Sequence, residues 1–383
     1  MYKEKNNRAE VQGWSPAHAP LKVLFVHNSV PEYRIEFWRL LQTKVELEIL
    51  ITNSGLDSEI YGLNRSTDGL KLLYFSTLSD LKRRISKCDV VILPPADSIK
   101  EIFIGCYILC NVSKEQKTIY WTEKWEAEKK WLTPKKKVKN YIQRIVIGNL
   151  ARRCSGCVAA GTKSFEYLKG LKVSEESIQV AYDSSTSPQT ALAIDFEKVY
   201  NIPSSAKVIL YFGRIVERKG LLILLKAFQK LQNNNTYLLI CGEGDFKPTC
   251  EKWVEVNNIS HVIFAGKVQP SERINYYKRA TVFVLPSYPS SGIIEAWGLT
   301  VNEALEAGCP VVATDAVGSS YDLLDGKSGI QIESCNVDAV ATAIKNFEVN
   351  ENVHIYCKNK AKQYSVEKMA EGFSKIIKKG SDV

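Results

Sequence analysis

The chain has 383 residues, 45% of them hydrophobic and 24% charged, with 51 Lys and Arg against 42 Asp and Glu for a net charge of +9. That composition excludes wholesale disorder, collagen-like repetition and mini-protein scaffolds, and at ~100–200 residues per domain the length predicts two domains, each able to bury a core without disulfide staples. The charge is uneven: residues 1–190 carry 29 basic and 21 acidic side chains, while residues 191–383 carry 22 and 21. A basic N-terminal half points to an anionic partner, whether nucleic acid, an acidic membrane surface or a phosphorylated substrate.

The first twenty residues, MYKEKNNRAEVQGWSPAHAP, form a polar tail without the apolar stretch of a signal peptide, and no apolar run approaches the ~18 residues of a spanning helix. A soluble, intracellular protein is expected. Beyond the tail, short β-branched runs alternate with helical segments, the pattern of parallel sheets covered by helices. The N-terminal half reads as strand LKVLFVHN, a helix over about 34–43, strands VELEILITN and LKLLYFS, helix DLKRRISKC, strand DVVILPP and a helix over about 98–112. Strand TIYWTE, a long helix over about 133–153 and strands GCVAAGT and SIQVAYDS complete it. A Ser- and Pro-rich interdomain linker, 186–206, follows, with a short helix after its Ser- and Pro-rich start.

The second half restarts the grammar: strand KVILYFGRI, helix GLLILLKAFQKLQ, strand TYLLICGEG, a helix, strand HVIFAGKV, helix SERINYYKRA, strand TVFVLPS, helix GLTVNEALEAG, strand PVVATD and a run of C-terminal helices. The expected domains are 21–185 and 207–365, with a last helix over 366–383 packing back toward the first. Two doubly wound units in tandem set the carboxyl ends of both sheets, where ligands bind, on facing sides of one cleft.

Ten cysteines do not make a disulfide framework. Cys88, Cys106, Cys110, Cys241, Cys250, Cys309, Cys335 and Cys357 sit in apolar patterns and read as small buried hydrophobes. Cys154 and Cys157 form a single CxxC without a second pair or a His cluster, so neither zinc nor redox chemistry is expected there.

Three constellations carry chemistry. Gly213-Arg214-Ile215-Val216-Glu217-Arg218-Lys219-Gly220 follows a strand and opens a helix, so Arg214 and Lys219 are placed to grip a diphosphate from two sides; the plainer reading is a solvated basic loop. It is not a Walker A loop, which fails at its second Gly and after Lys219. Cys241-Gly242-Glu243-Gly244-Asp245-Phe246-Lys247 holds a GxG, but Lys247 stands where a dinucleotide fingerprint needs its third Gly. The third runs from Ser290 to Gly308: small residues let a loop approach a ligand, Gly298 allows the turn, and the following helix aims free N–H groups at an anion. Glu295 in the loop and Glu303 on the helix suit hydroxyls on either side of a diphosphate. Glu303 and Glu306 equally suit a helix N-terminus with no ligand at all.

Taken together, Arg214, Lys219, the spacing Glu295-x7-Glu303 and the closing EALEAGCPVVATD resemble glycosyltransferase family 4, retaining enzymes of the GT-B fold, in register through residues 207–332. The resemblance implies an α/β fold of two Rossmann-like doubly wound domains facing a central cleft, acceptor-binding in the first and nucleotide-sugar-binding in the second. It implies that Arg214 and Lys219 hold the diphosphate, that Glu303 binds ribose hydroxyls, and that Glu295 and the N–H groups around Trp297–Leu299 orient the donor sugar. Gly213, Gly244 and Gly298 would line the donor site, Leu299, Thr300 and Val301 would meet the phosphates, and the base would lie near Gly266, Lys267 and Val268. No metal and no cofactor are expected, since cations and a helix terminus stabilise the leaving diphosphate. Retention in the family is explained by front-face attack, without a protein nucleophile.

The first half matches less well. Where many members carry a Gly-Gly loop, this chain reads His27-Asn28-Ser29-Val30-Pro31-Glu32-Tyr33-Arg34, and Arg34 suits an anionic acceptor or phosphate as well as a cap on its helix. None of His18, His27, His261 and His354 falls at the strand end Tyr120–Trp125, leaving Glu123 as the acceptor-side group there for positioning or proton handling; Trp125 and Trp131 read first as packing residues. Residues 129–153 carry Lys129, Lys130, Lys135, Lys136, Lys137, Lys139, Arg144, Arg152 and Arg153 with no acid, interleaved with Val138, Tyr141, Ile142, Ile145, Val146 and Ile147. These nine charges equal the net charge of the chain. No nucleic-acid module accompanies them, so the expected surface is an anionic membrane, approached peripherally from its cytoplasmic face, with a glycan or polyprenyl-linked acceptor. The alternatives are an epimerase or phosphorylase on the same architecture, or a non-catalytic partner protein.

Overall fold

The computed structural model describes residues 19–53, 66–126, 132–185, 193–231, 235–290, 292–347 and 349–380. The polar tail through His18, linker residues 186–192, and Lys129, Lys130 and Trp131 lie outside them.

Two all-parallel sheets form. The first has seven strands: β1 (Lys22–His27), β2 (Glu46–Ile51), β3 (Leu72–Tyr74), β4 (Val90–Leu93), β5 (Lys117–Thr122), β6 (Gly156–Ala159) and β7 (Ile178–Val180), in the order 3-2-1-4-5-6-7. The second has β8 (Lys207–Phe212), β9 (Thr236–Cys241), β10 (Val262–Gly266), β11 (Val282–Leu285), β12 (Val311–Thr314) and β13 (Gly329–Ile332), in the order 10-9-8-11-12-13. Runs such as Val23–Val26 and Val208–Leu210 are buried without alternation because helices cover both faces. Strand order reverses between β1 and β4 and between β8 and β11, and each reversal opens a crevice at the carboxyl ends.

The helices sort by the core they close. On one face of the first sheet lie α1 (Glu32–Gln42) and, from the far end of the chain, α14 (Val366–Lys378); on the other lie α2 (Leu78–Ile85), α3 (Ile99–Asn111), α4 (Pro134–Arg153) and α5 (Thr162–Gly170). The second sheet is covered on one face by α6 (Phe196–Tyr200), α9 (Arg273–Arg279), α10 (Leu299–Glu306), α11 (Ser320–Leu323) and α13 (Glu351–Gln363). Its other face takes α7 (Leu221–Leu231), α8 (Lys247–Val256) and α12 (Val337–Asn346). Local chemistry fixes several starts: Ser98 and Glu101 form a capping box on α3, and Thr133 caps α4 ahead of Pro134.

Two elements are absent from the sequence reading. Helix α5 begins after Gly161, which offers no side-chain cap, so the usual start signal is missing. Strand β13 is a four-residue edge pairing with β12 alone. The cysteine expectation also needs correction: Cys106, Cys110 and Cys335 are exposed. Cys106 and Cys110 lie on the outer face of α3, a helix apolar on nearly all sides, where pattern does not distinguish the covered face from the bare one. Cys154 and Cys157 are free thiols, and burial pushes Cys157 up to about 12, far from reactive thiolate territory.

Helix α14 completes the first core rather than the second. Phe373 stacks on Phe25 at 6.0 Å, meets Phe37 at 4.8 Å and Trp121 at 5.4 Å, and is fully buried. The substitution Phe373→Ala is therefore expected to cost about 3–5 kcal/mol, measured by urea unfolding, although the residue lies close to the end of the chain.

Candidate active site

Every donor-side residue named from sequence sits at the carboxyl end of the second sheet. Gly213 and Arg214 follow β8, with Arg214 exposed. After β9, a side chain at Gly242 would collide with the Gly213 carbonyl and one at Gly244 with the Ile215 carbonyl. The two loops are stitched by Ile215 N–H to Glu243 O (2.8 Å) and Phe246 N–H to Ile215 O (3.1 Å). Gly244 is thus demanded by loop-on-loop packing, whatever else it does. Gly266 and the exposed Lys267 close β10, whereas the side chain of Val268 is buried in the core.

Helix α10 starts at Gly298, held at φ +93°, a conformation that favours glycine. Thr300 sits in its first turn, and the Thr300 hydroxyl is buried without a hydrogen-bond partner among the described residues, as are the Ser287 hydroxyl beyond β11 and Nε of Arg273. Buried polar atoms of this kind cost free energy unless something completes them. Glu303 accepts a hydrogen bond from the Tyr277 hydroxyl (3.0 Å) and faces Arg273 at 3.5 Å. Burial, with Glu303 adding to it, drives the Tyr277 phenol well above its ordinary pKa. Sequence reasoning misses both Arg273 and Tyr277, which no motif marks.

Glu295 is not a lone carboxylate. Lys219 Nζ reaches its Oε2 at 2.7 Å and Arg218 Nη1 at 3.1 Å. Burial alone would raise its pKa, but Lys219 first and Arg218 second hold it below the usual range, so it is charged. Arg218, which the sequence reading does not single out, therefore shares this carboxylate with Lys219; one-letter sequence does not show that both adjacent cations turn inward.

The first domain brings a correction. Arg34 does not cap α1: it is fully buried, paired with Asp183 through both terminal guanidinium nitrogens (Nη2 to Oδ2 2.8 Å) and with Glu123. Its guanidinium also covers the Trp121 ring, 4.6 Å from the centroid. A buried guanidinium requires counter-ions and finds them at the ends of β5 and β7. A third of the Glu123 side chain reaches solvent, yet burial and the adjacent Asp183 carboxylate raise its pKa above the carboxylate range, with Arg34 offsetting only part. His27, set aside in the sequence reading, lies 5.9 Å from Trp121 and 5.6 Å from Trp38. Burial first, then Arg34, lowers its pKa to about 3, so it is neutral.

The two crevices meet. Trp125 donates from Nε1 to Ala296 O (2.9 Å), and Thr162 donates from its N–H (3.0 Å) and hydroxyl (2.5 Å) to Asp322. Asn302 of α10 accepts from Trp297 Nε1 (2.9 Å) and donates to Asp183 O (3.3 Å). Trp297 seats against Gly161, where any side chain would collide with its ring. Beside these contacts is a cavity of about 260 Å³ walled by Trp125, Arg144, Lys163, Ile294, Ala316 and Tyr321. The Trp125 and Tyr321 rings lie 6.1 Å apart, and Lys163 stands 4.1 Å over the Tyr321 ring. Among the described residues, no three His, Cys, Asp or Glu side chains converge as metal ligands.

The family model for group 1 glycosyl transferases matches residues 194–364. The match falls on the C-terminal domain. Among curated relatives, a GDP-mannose-dependent alpha-(1-6)-phosphatidylinositol monomannoside mannosyltransferase of Mycolicibacterium smegmatis is 31% identical over 36% of this chain and 37% of its own. A lipopolysaccharide 1,2-N-acetylglucosaminetransferase of Salmonella typhimurium is 30% identical over 48% and 51%. The chain thus spans about half or less of the length of these relatives. Whole-chain likeness appears in solved structures: Anabaena HepE in complex with UDP superposes with a TM-score of 0.69 at 16% identity, covering 93% of this chain and 99% of that one. The apo lipopolysaccharide outer core galactosyltransferase WaaB gives 0.68 at 14%, with the same coverage. The fold is GT-B.

Two predictions concern the buried polar cluster. Replacing Arg34 by Ala leaves the Asp183 and Glu123 carboxylates without their cation and is expected to cost about 3–5 kcal/mol in urea unfolding. Since Glu123 titrates above its ordinary value, that loss should be larger at pH 8 than at pH 5. For His27 the folded pKa lies below the unfolded value of ~6.5, so protons favour the unfolded chain and the stability is lost as pH falls from about 6.5 toward about 3. In His27→Gln the slope of unfolding free energy over that window should shrink.

Proposed function

We propose that the protein is a retaining, metal-independent glycosyltransferase of family 4. It moves a sugar from a nucleotide-diphosphate donor to a glycan or polyprenyl-linked acceptor for cell-surface polysaccharide or glycolipid. The observation that carries this reading is the convergence, inside the family-matched segment, of Arg214, Lys219, the α10 N-terminus and Glu303 at one crevice, with unfulfilled polar atoms at Thr300, Ser287 and Arg273. Arg214 and Lys219 would meet the diphosphate, Leu299 and Thr300 would offer N–H groups to its oxygens, and Glu303, set by Tyr277 and Arg273, would accept the ribose hydroxyls. Glu295 would orient the sugar and hold Lys219 in place. The UDP complex of HepE and the GDP-mannose relative support a nucleoside diphosphate without choosing the base.

In the reaction, the acceptor oxygen attacks the anomeric carbon as its bond to the donor phosphate oxygen breaks. The bonding electrons leave with the diphosphate, and the acceptor proton passes to a phosphate oxygen on the same face. Arg214, Lys219 and the helix terminus stabilise the charge that develops, and preorganised stabilisation of this kind supplies most of the acceleration in many enzymes. On the acceptor side, the Trp125 and Tyr321 faces suit sugar rings, and Glu123, held by Arg34, suits an acceptor hydroxyl. The phosphatidylinositol and lipopolysaccharide relatives favour a lipid-linked acceptor. With that acceptor and the basic residues of α4, we place the protein peripherally on the cytoplasmic face of an anionic membrane.

Donor-dependent release of a nucleoside diphosphate is the measurement that checks this reading. Arg214→Ala and Lys219→Ala should each slow it by about 100-fold or more, and full turnover in both variants overturns the assignment.

A further inference from the structure

Twelve large hydrophobic side chains are conspicuously exposed among the described residues, and seven of them lie on α3, on α4 and on a turn of the second domain, α4 being in contact with both of the others. On α3, Ile99 is 88% and Phe103 55% exposed, and Cys106 and Cys110 continue the same stripe at one-turn intervals. On α4, Val138, Tyr141, Ile142 and Ile145 are 48–66% exposed, again at helical spacing. The opposite faces of both helices, Ile104 and Ile108 on α3 and Ile147, Leu150 and Ala151 on α4, share one core on the same side of the first sheet. The helices are neighbours, with Gly105 against Leu150. Both bare stripes therefore point away from the sheet on the same side.

The third element comes from the other domain. Ser290 and Ile293 close a tight turn by exchanging backbone hydrogen bonds (3.0 and 2.9 Å). A side chain built at Gly292 in that turn would lie 2.6 Å from Leu132 and 4.0 Å from Lys136, so the turn abuts the start of α4. Ile293 is 52% exposed at its tip, just before Glu295. Exposed Lys135, Lys137 and Lys139 flank the α4 stripe, and no acid occurs in α4.

We propose that α3, α4 and the Ile293 turn form one lipid-contacting face shared by both domains, which seats the mouth of the cleft on an anionic membrane. The proposal rests on the lipid-linked acceptor reading above and extends it from one basic helix to a surface that includes α3 and the donor-side domain. Apolar stripes bordered by lysines fit the headgroup boundary, where Lys stems run along apolar surface while their ammonium groups meet phosphate. Each lysine near such a surface contributes about fivefold in partitioning. A second copy of the chain fits less well, because a two-fold contact through this face would set the lysines of one α4 against those of the other.

The test uses the full chain in flotation with phosphatidylcholine vesicles, with and without about 40% phosphatidylglycerol to supply the anionic surface. Wild type should float with the anionic vesicles only. The pair Ile99→Asp with Phe103→Asp, and separately Ile293→Asp, should each lower partitioning at least tenfold while leaving the thermal shift by UDP or GDP unchanged. As a readout that removes nothing, Phe103→Trp and Ile293→Trp should shift emission to the blue on vesicle binding and be quenched by brominated lipid. If the aspartate variants float like wild type and neither new tryptophan responds, the shared face is wrong, while loss of flotation in Lys135→Glu with Lys137→Glu and Lys139→Glu would keep the α4 reading. If wild type does not float, both fail. If light scattering shows a dimer that Phe103→Asp dissociates and vesicles bind nothing, the occupant is a second copy and the proposal falls.

Discussion

A guanidinium with no solvent exposure stays in a fold only where anions are built around it, and Arg34 is such a group. The cluster is assembled from three places: α1 supplies the cation itself, the end of β5 supplies Glu123, and the end of β7 supplies Asp183. The carbonyl of that same Asp183 accepts a hydrogen bond from Asn302 on α10, whose side chain also fixes Trp297. One ion cluster thus ties the first crevice to the helix that carries Glu303 and to the loop that carries Glu295. Breaking a buried pair by removing one partner strands an uncompensated charge, so the geometry on both sides of the cleft depends on this residue keeping its counter-ions.

The close seating of the domains has a second requirement, which is space. Trp297 lies where a side chain at Gly161 would have to be, and the Trp125 indole donates across the cleft just beside Gly318. Helix α14 adds a covalent constraint: the chain leaves the second domain and ends as part of the first core, packed on α1. Two chain crossings with complementary aromatic seats hold the crevices opposite each other, and this joins two separate sheets around one elongated cleft.

What is legible in the sequence follows the range of the interactions. Strand–helix alternation is local, so both sheets and nearly all helices can be read. The donor-side pattern is also local: Glu295, Gly298 and Glu303 share one short segment, and their spacing carries the geometry. The cluster around Arg34 is not, since Asp183 is 149 residues away and sits in a strand-end context that names no partner. Sequence therefore offers Arg34 the roles of ligand contact or cap and does not show the buried ion cluster it builds. Arg218 and Lys219 are adjacent and chemically alike, and both turn toward Glu295, which only the fold reveals. Cys106 and Cys110 show the limit of pattern on a helix apolar on nearly all sides: hydrophobicity marks the faces, and packing alone decides which one is covered.

The division of charge follows the division of labour. The second domain is nearly neutral, and its cations Arg218 and Lys219 are held on the buried Glu295 carboxylate, where protein rather than salt water surrounds the pair and the interaction is strong. Much of the excess charge lies on α4, where Lys135, Lys137 and Lys139 are exposed and ions screen them within about 8 Å at physiological salt. At that range α4 acts on what is pressed against it, and Lys136 stands beside the Gly292 turn of the second domain. The charge of the first domain is therefore not remote from the cleft: Arg144 of α4 walls the cavity beside the Trp125–Ala296 contact.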